Sequence, residues 1–178
     1  MHLRDAVVPD GATVPYPSAT QSLHYEIELV AAIAKGGRNI PSARALDHVY
    51  GYAIGIDLTR RDLQTIAKDK GWPWEMGKSF DHSAPCGPVH PAGDVGHGAR
   101  TIALRVNGAL RQNSTTAKMT WSVSEIISKL SEQYELAAGD IIYTGTPEGV
   151  GAVVPGDRLE GAIEGLATLT ISIGPAKA

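Results

Sequence analysis

The sequence is poor in cysteine and has no long hydrophobic run. Cys86 is the only cysteine among 178 residues, which excludes an internal disulfide and a zinc cluster of thiolates. No apolar stretch approaches the roughly 20 residues that a membrane-spanning helix needs. A signal-peptide hydrophobic region is not seen at the start, and the formal net charge of −3 is not that of a nucleic-acid binder. We therefore expect a cytoplasmic protein that contacts neither membrane nor nucleic acid.

Glycine and proline are abundant and separate short apolar segments. The chain has 20 glycines, 11 prolines and 43% hydrophobic residues, enough to form a core that is crossed by many turns. No internal repeat or linker is evident. The pattern predicts one α+β domain over residues 1–178 that is mainly β, with residues 1–20 as an extended lead-in.

The segment Leu23–Leu29 alternates apolar and polar residues with the period of a β-strand, and the apolar run continues to Ala34. His24, Glu26 and Glu28 then share one face, which would place two carboxylates a few ångströms apart. Asp57 ends another apolar segment, and three oxygen ligands suit Mg²⁺, Mn²⁺ or Ca²⁺. Any half-exposed strand shows the same alternation, so the pattern alone leaves both interpretations open.

Local signals predict the remaining elements. A strand is expected over Thr101–Val106, a hairpin turn at Asn107-Gly108 and a return strand near Ala109–Gln112. Helices are expected over 42–50, capped by Ser42; from a cap at Thr59 with Asp62 to Gly71; and from the capping box Ser122/Glu125 to about Tyr134. Strands are expected over 51–58 and 141–144. The segment 72–100 is expected to be loop, and strand and turn are expected to alternate from Pro155.

Five separated motifs resemble, in order, those of the fumarylacetoacetate hydrolase superfamily, over the chain from about Asp5 onward. They are His24–Leu29, Gly55–Gln64, Gly77–Asp81, Val106–Gly108 with Arg111-Gln112, and Gly139–Ile142 with Thr144–Gly151. The resemblance implies a mixed β-roll fold and a homodimer. It also implies that Glu26, Glu28 and Asp57 bind Mg²⁺ or Mn²⁺.

The resemblance further implies roles around that metal. Lys78 would approach the metal-bound oxygens, Gly145 and Thr146 would contact a substrate carboxylate, and Arg61 and Gln64 would face the substrate from one side of a helix. Read without the resemblance, Arg61 and Lys78 would be solvated charges and Gln64 a surface helix residue.

The family's 2-oxo and 2,4-dioxo acid substrates imply a metal-dependent hydrolase that cleaves a C–C bond. The segments Ile56–Gln64 and Phe80–Cys86 look most like bacterial fumarylpyruvate hydrolases of gentisate breakdown, which form fumarate and pyruvate. Acylpyruvases, oxaloacetate decarboxylases and dienedioate isomerases share the frame and stay alternatives. In many relatives a histidine and a glutamate that activate water precede a stretch like Leu3–Pro9, so either the protein is naturally short or the sequence is truncated.

Two other classes of protein are alternatives to this hypothesis. A dinucleotide-binding protein is disfavoured because position 154 is valine where the Gly149/Gly151 pattern would need glycine, and no phosphate-binding Gly-Lys-Ser/Thr is present. A non-catalytic protein that binds metal and an oxo acid but lacks the base remains possible on sequence. We expect Cys86 to be structural and His82, His90 and His97 to lie in a solvated loop.

Overall fold

The computed structural model describes residues 6–176, so the first five residues of the predicted lead-in lie outside it. The strands are β1 (Val7–Val8), β2 (Thr13–Pro15), β3 (Leu23–Tyr25), β4 (Ile27–Ile33), β5 (Val49–Ile56), β6 (Thr59–Arg60), β7 (Ala84–Pro85), β8 (His90–Pro91), β9 (Thr101–Val106), β10 (Ala109–Thr115), β11 (Ile141–Tyr143), β12 (Gly151–Val153), β13 (Arg158–Ile163) and β14 (Leu169–Gly174). The α-helices are α1 (Arg61–Lys70), α2 (Glu75–Lys78), α3 (Ala92–Val95) and α4 (Val123–Gln133). Ser42–His48 and Thr116–Lys118 form 3₁₀ helices. The fold is mainly β with few short helices, as the sequence predicts.

The strands form two larger sheets and two small ones. One sheet has the order β10-β9-β13-β14-β2, and a second has the order β11-β4-β5-β8. Their apolar faces pack together: a Cβ added to Gly161 of β13 would lie 3.1 Å from Ile27 and 3.2 Å from Ile54 of the other sheet. A three-stranded sheet, β12-β3-β6, continues from the second sheet, and β1 pairs with β7.

The functional part of the fold is the gap between the four-stranded and the three-stranded sheet, which we call the junction. Three chain segments cross it: Glu26 between β3 and β4, Asp57-Leu58 between β5 and β6, and residues 144–150 between β11 and β12. The pairings match on both sides, since β4 lies between β11 and β5 while β3 lies between β12 and β6. The regular strand pairing is interrupted in the junction, so side chains there and the Gly145 amide can serve a site.

Several local predictions are confirmed because the signal and its structural cause coincide. Asn107 and Gly108 both have positive φ, 50° and 79°, as the predicted two-residue turn requires. Ser122 and Glu125 form both hydrogen bonds of a capping box at the start of α4. Gly71 ends α1 in the left-handed conformation with φ 66°.

Other local predictions are wrong. Neither Ser42 nor Thr59 caps a helix: Pro41 precedes a 3₁₀ helix without a side-chain cap, and α1 begins after Arg60, also without one. Thr59 instead lies in β6, where tertiary contacts determine its role. The segment 72–100 is not simply loop, because it contains α2, α3, β7 and β8. The strand predicted from Leu23 to Ala34 is broken at Glu26, where the chain changes sheets.

No helix among residues 6–176 is long and apolar enough to cross a membrane.

Gly55 in β5 provides a test of this packing. A Cβ there would lie 2.3 Å from the Tyr143 ring and 2.6 Å from Val30. Neither can easily move, because Val30 is fully buried and the Tyr143 hydroxyl donates to the carbonyls of Ala84 and Pro85. We expect Gly55→Ala to lower the free energy of unfolding by about 1–3 kcal/mol because it overpacks the sheet. Urea denaturation followed by circular dichroism measures the change.

Gly93 is the matched control, since a Cβ at this position meets nothing within 4 Å and lies in a helix. Gly93→Ala should leave stability unchanged or slightly raised. Equal stability of the Gly55 variant and the native chain would contradict the packing described here.

Candidate metal centre

Three buried carboxylates meet at the junction. Glu26, Glu28 and Asp57 each offer an oxygen, and these atoms all lie within 4.8 Å of one another. Each residue is no more than 7% exposed. This is the only cluster of at least three potential metal ligands found in the described part of the chain. The three residues that the sequence predicts as metal ligands therefore lie together, although Glu26 is not in a continuous strand with Glu28.

Backbone hydrogen bonds fix the carboxylates relative to one another. The Asp57 N–H donates to the Glu26 carbonyl at 2.8 Å, which joins two of the crossing segments. The Gly145 N–H donates to Glu28 Oε2 at 2.7 Å, which joins the third segment to the cluster. All three crossing segments of the junction thus hold the same group of acids.

Burial raises the proton affinity of this cluster. Burial is the main cause that raises the pKa of Glu28 to about 8, and the neighbouring Asp57 charge raises it further. Burial also raises the pKa of Asp57 to about 6, against the lowering effect of Lys78. Positive charge beside Glu28 and Asp57 therefore favours the ionised form of these two carboxyl groups.

Lys78 supplies part of that charge. Its Nζ donates to Glu26 Oε2 at 2.7 Å, to Asp57 Oδ2 at 2.6 Å and to the Thr59 hydroxyl at 2.7 Å. Burial alone would lower the pKa of Lys78, but the charges and hydrogen bonds of Asp57 and Glu26 outweigh it and raise the pKa. Lys78 is thus a half-buried cation of the site and not a solvated surface charge.

A glycine brings Lys78 to the cluster. Gly77 precedes it in α2, and a Cβ at Gly77 would lie 2.9 Å from the Cβ of Gln64 in α1. Because only a residue without a side chain allows this approach, the two short helices lie close enough for Lys78 to reach the acids.

Arg61 and Gln64 lie at the edge of the same cluster. The Arg61 guanidinium donates to Glu26 Oε1 and, at 2.5 Å, to Gln64 Oε1. Gln64 is buried, with 8% of its surface exposed. Both residues belong to the centre, where they position Glu26; a direct contact with substrate stays a prediction.

The donor set fits a divalent cation. Three carboxylates face two cationic side chains, Lys78 and Arg61, and both of these pair with Glu26 or Asp57. No salt bridge to Glu28 is present in residues 6–176. A hard divalent ion bound by carboxylate oxygens would neutralise the excess negative charge, and oxygen ligands are those that Mg²⁺ and Mn²⁺ prefer.

The loop after β11 presents groups beside the cluster. Thr146 Oγ1 accepts a hydrogen bond from Gln112 Nε2 at 2.9 Å, which leaves its own hydroxyl proton for another acceptor. The Gly145 N–H, expected to face the substrate, donates to Glu28 instead. The Thr146 hydroxyl is therefore a donor that the loop can offer to a bound anion, while the Gly145 N–H orients the Glu28 carboxylate.

A cavity of about 560 Å³ shares this loop. Thr144, Gly145, Thr146 and Glu148 line it together with hydroxyl groups from the end of β10. Leu29 also lines the cavity. Because Leu29 follows Glu28 in β4, its side chain points to the face of the strand opposite the Glu28 carboxylate. The volume is in the range of small-molecule sites.

Sequence reasoning assigned no role to Thr59 in the centre and none to Gln112. The sequence predicts Thr59 as a helix cap, but its hydroxyl accepts a hydrogen bond from Lys78 Nζ. In the described residues, His24 Nε2 contacts the Ser22 hydroxyl at 3.1 Å, His90 accepts from the Ala167 N–H, and His97 contacts Tyr52. His90 lies in β8 and not in the expected loop. Burial raises the pKa of the Cys86 thiol, which makes it a poor nucleophile.

Comparison with known proteins identifies relatives across almost the whole chain. Residues 1–173 match the family described as fumarylacetoacetate hydrolase C-terminal. A fumarylpyruvate hydrolase of Ralstonia is 49% identical over 171 residues, 96% of this chain and 89% of the relative. Human mitochondrial oxaloacetate tautomerase is 41% identical over 169 residues, 94% of this chain and 76% of the relative.

A solved structure supports both the fold and the centre. The crystal structure of a fumarylpyruvate hydrolase from Pseudomonas aeruginosa in complex with Mn²⁺ and pyruvate has a TM-score of 0.94 and 52% identity, and the match covers 96% of this chain and 76% of that one. The resemblance inferred from five motifs is thereby confirmed, as is the predicted fold. The acidic cluster described above is a set of residues that can hold a divalent metal.

Glu28→Gln tests the centre with two effects of opposite sign. Mn²⁺ should raise the melting temperature of the native chain, because a ligand that binds only the folded state stabilises it. In Glu28→Gln this shift should vanish, while the metal-free variant should melt at or above the native chain because a buried like charge is removed. Differential scanning fluorimetry with and without Mn²⁺ measures both effects.

Glu132→Gln is the matched control, since Glu132 is an exposed residue of α4. It should retain the full Mn²⁺ shift. A Glu28→Gln protein that is still stabilised by Mn²⁺ would exclude Glu28 as a ligand.

Proposed function

Because this chain belongs to the fumarylacetoacetate hydrolase family, we propose that it is a metal-dependent hydrolase that cleaves a C–C bond in a 2,4-dioxo acid. Fumarylpyruvate, cleaved to fumarate and pyruvate, is the proposed substrate. The support is the named relatives, one of which was solved with Mn²⁺ and pyruvate, and pyruvate is one of the two products proposed here.

One observation of this chain carries the proposal. Glu26, Glu28 and Asp57 form a buried cluster with Lys78 hydrogen-bonded to two of them and Thr146 on the adjoining loop. This combines a site for a hard cation, a fixed ammonium and a hydroxyl donor. A 2-oxo acid carries the complementary groups, which are a carboxylate and a neighbouring carbonyl oxygen.

The reaction adds water to the C4 carbonyl carbon and breaks the bond between C3 and C4. The electron pair of that bond leaves with C3 as the enolate of pyruvate, which then takes up a proton at C3. When bound, a divalent ion supplies Lewis-acid stabilisation of this developing charge. Lys78 keeps a positive charge fixed at the cluster, where burial strengthens its effect. Thr146 donates its hydroxyl proton to the substrate carboxylate, and Arg61 with Gln64 holds Glu26 in place.

Enolate chemistry also supports an alternative. Stabilising the enolate of a 2-oxo acid is sufficient for tautomerisation, and one relative is an oxaloacetate tautomerase. Acylpyruvate cleavage, oxaloacetate decarboxylation and dienedioate isomerisation use the same groups, so the comparison among substrates decides between them. As part of the proposal, the enzyme acts in the cytoplasm as a homodimer in the breakdown of aromatic compounds.

Substrate absorbance followed over time tests the function. With Mn²⁺ present, the native chain should consume fumarylpyruvate faster than acetylpyruvate or oxaloacetate, and Glu26→Ala should abolish this. Lys78→Met should retain Mn²⁺ binding, since a competing cation is removed, but lower kcat by about a hundredfold or more because a preorganised charge is lost. Lys129→Met, which removes an exposed lysine of α4, should keep full activity.

The outcomes separate the candidates. Tautomerisation of oxaloacetate without cleavage of any dioxo acid would replace the hydrolase by the tautomerase. Metal-dependent binding of pyruvate without turnover of any of these substrates would favour a binding protein. Absence of Mn²⁺ binding would refute the proposed function altogether.

A further inference from the structure

Gln112 is a fully buried polar residue whose side chain reaches the junction. It has no exposed surface, and among the largest fully buried side chains it is the only one that is not aliphatic in the part of the chain that the structure describes. A buried amide is costly unless its donors and acceptor are satisfied. Burial of the Gln112 side chain therefore requires hydrogen-bond partners for its oxygen and its two N–H groups.

A β-bulge turns Gln112 inward. In the β9–β10 pairing Leu110 lies opposite Arg105, but Gln112 lies opposite Leu104, so Arg111 is an additional residue. Without this shift Arg111 would lie opposite Leu104, which is fully buried, and would point into the core. The bulge thus places a neutral amide where regular pairing would bury a charge.

Another segment of the junction fits against the bulge. Gly149 has φ 97°, and a Cβ there would lie 2.3 Å from the Arg111 carbonyl oxygen. Only glycine accommodates both the conformation and this close approach. The loop over 144–150 and the bulge therefore pack as one unit.

Three hydrogen bonds of Gln112 connect two of the crossing segments. Gln112 Oε1 accepts from the Ile27 N–H at 3.0 Å, and Ile27 is the residue between Glu26 and Glu28. Gln112 Nε2 donates to Thr146 Oγ1 at 2.9 Å and to the Pro147 carbonyl at 2.8 Å. The oxygen and both amide protons are all used, so the side chain is held in one orientation.

We propose that Gln112 is a positioning residue that fixes the metal-ligand segment Glu26–Glu28 and the Thr146–Pro147 loop in one relative geometry. The inference rests on the proposed function, because it assigns Thr146 to a bound oxo acid and the two glutamates to the metal. Metal binding and oxo-acid binding should therefore weaken together when Gln112 is changed, although Gln112 contacts neither ligand.

Gln112→Met is the informative variant. Methionine has nearly the same volume but leaves the Ile27 N–H and the Pro147 carbonyl without their partner. We expect the Mn²⁺ dissociation constant to rise by about 10- to 100-fold, the usual effect of losing a group that orients metal ligands. The pyruvate dissociation constant at saturating Mn²⁺ should rise as well. Isothermal titration calorimetry well below the melting temperature measures both constants.

Ser131→Ala is the matched structural control. Ser131 is also fully buried and also accepts from a backbone amide, that of Ile40 at 2.8 Å, but Ile40 lies outside the junction. This variant should melt at a lower temperature and keep both dissociation constants within about twofold. A loss of stability common to both variants then cannot explain a loss of binding specific to Gln112→Met.

Gln112→Glu provides a second measurement if the methionine variant does not fold. Burial favours the neutral form of a glutamate at this position. In that form it keeps an acceptor for the Ile27 N–H and loses one of the two donated protons, so Mn²⁺ affinity should recover more than pyruvate affinity. Thr146→Val should weaken pyruvate alone. Native constants in both Gln112 variants would overturn the inference while leaving the proposed function intact, and absence of Mn²⁺ binding by the native chain would overturn both.

Discussion

The structure depends on holding three mutually repelling carboxylates together inside the protein. Burial and proximity favour protonation, and the pKa of Glu28 is raised to about 8 as a result. Three groups oppose this repulsion: Lys78 and Arg61 pair with Glu26, and the Gly145 N–H donates to Glu28. A divalent ion bound by the three carboxylates would oppose it further. The close contact of Gly77 in α2 with α1 brings Lys78 to this point.

The junction explains why the site can be built at all. A residue within a central strand has its backbone groups committed to neighbouring strands, whereas the Gly145 N–H, between two sheets, is available to the Glu28 side chain. Glu26, Asp57 and Gly145 all lie where the chain passes between sheets, and each contributes a carboxylate or an amide there. The rigid sheets on either side hold these positions, which preserves the geometry that ligand binding and catalysis need.

The sequence predicts those parts of the molecule whose cause is local. The Asn107-Gly108 turn and the Ser122 capping box follow from short-range hydrogen bonds and backbone preference, and both are confirmed. The three acids follow from family motifs. Thr59 was misassigned because its hydroxyl can cap a helix or accept from Lys78, and only tertiary structure chooses. Gln112 could not be placed because a bulge one residue earlier decides which way it points.

The single-residue crossing at Glu26 has an evolutionary consequence. Inserting or deleting one residue there would shift β4 against β5 and move Glu28 to the opposite face, where Leu29 now packs. Length at this point is therefore as constrained as residue identity. The segment over 116–122, between β10 and α4, carries no such strand register, so changes in chain length can accumulate there. Divergence among hydrolases, tautomerases and isomerases can then proceed by remodelling peripheral loops around an unaltered frame.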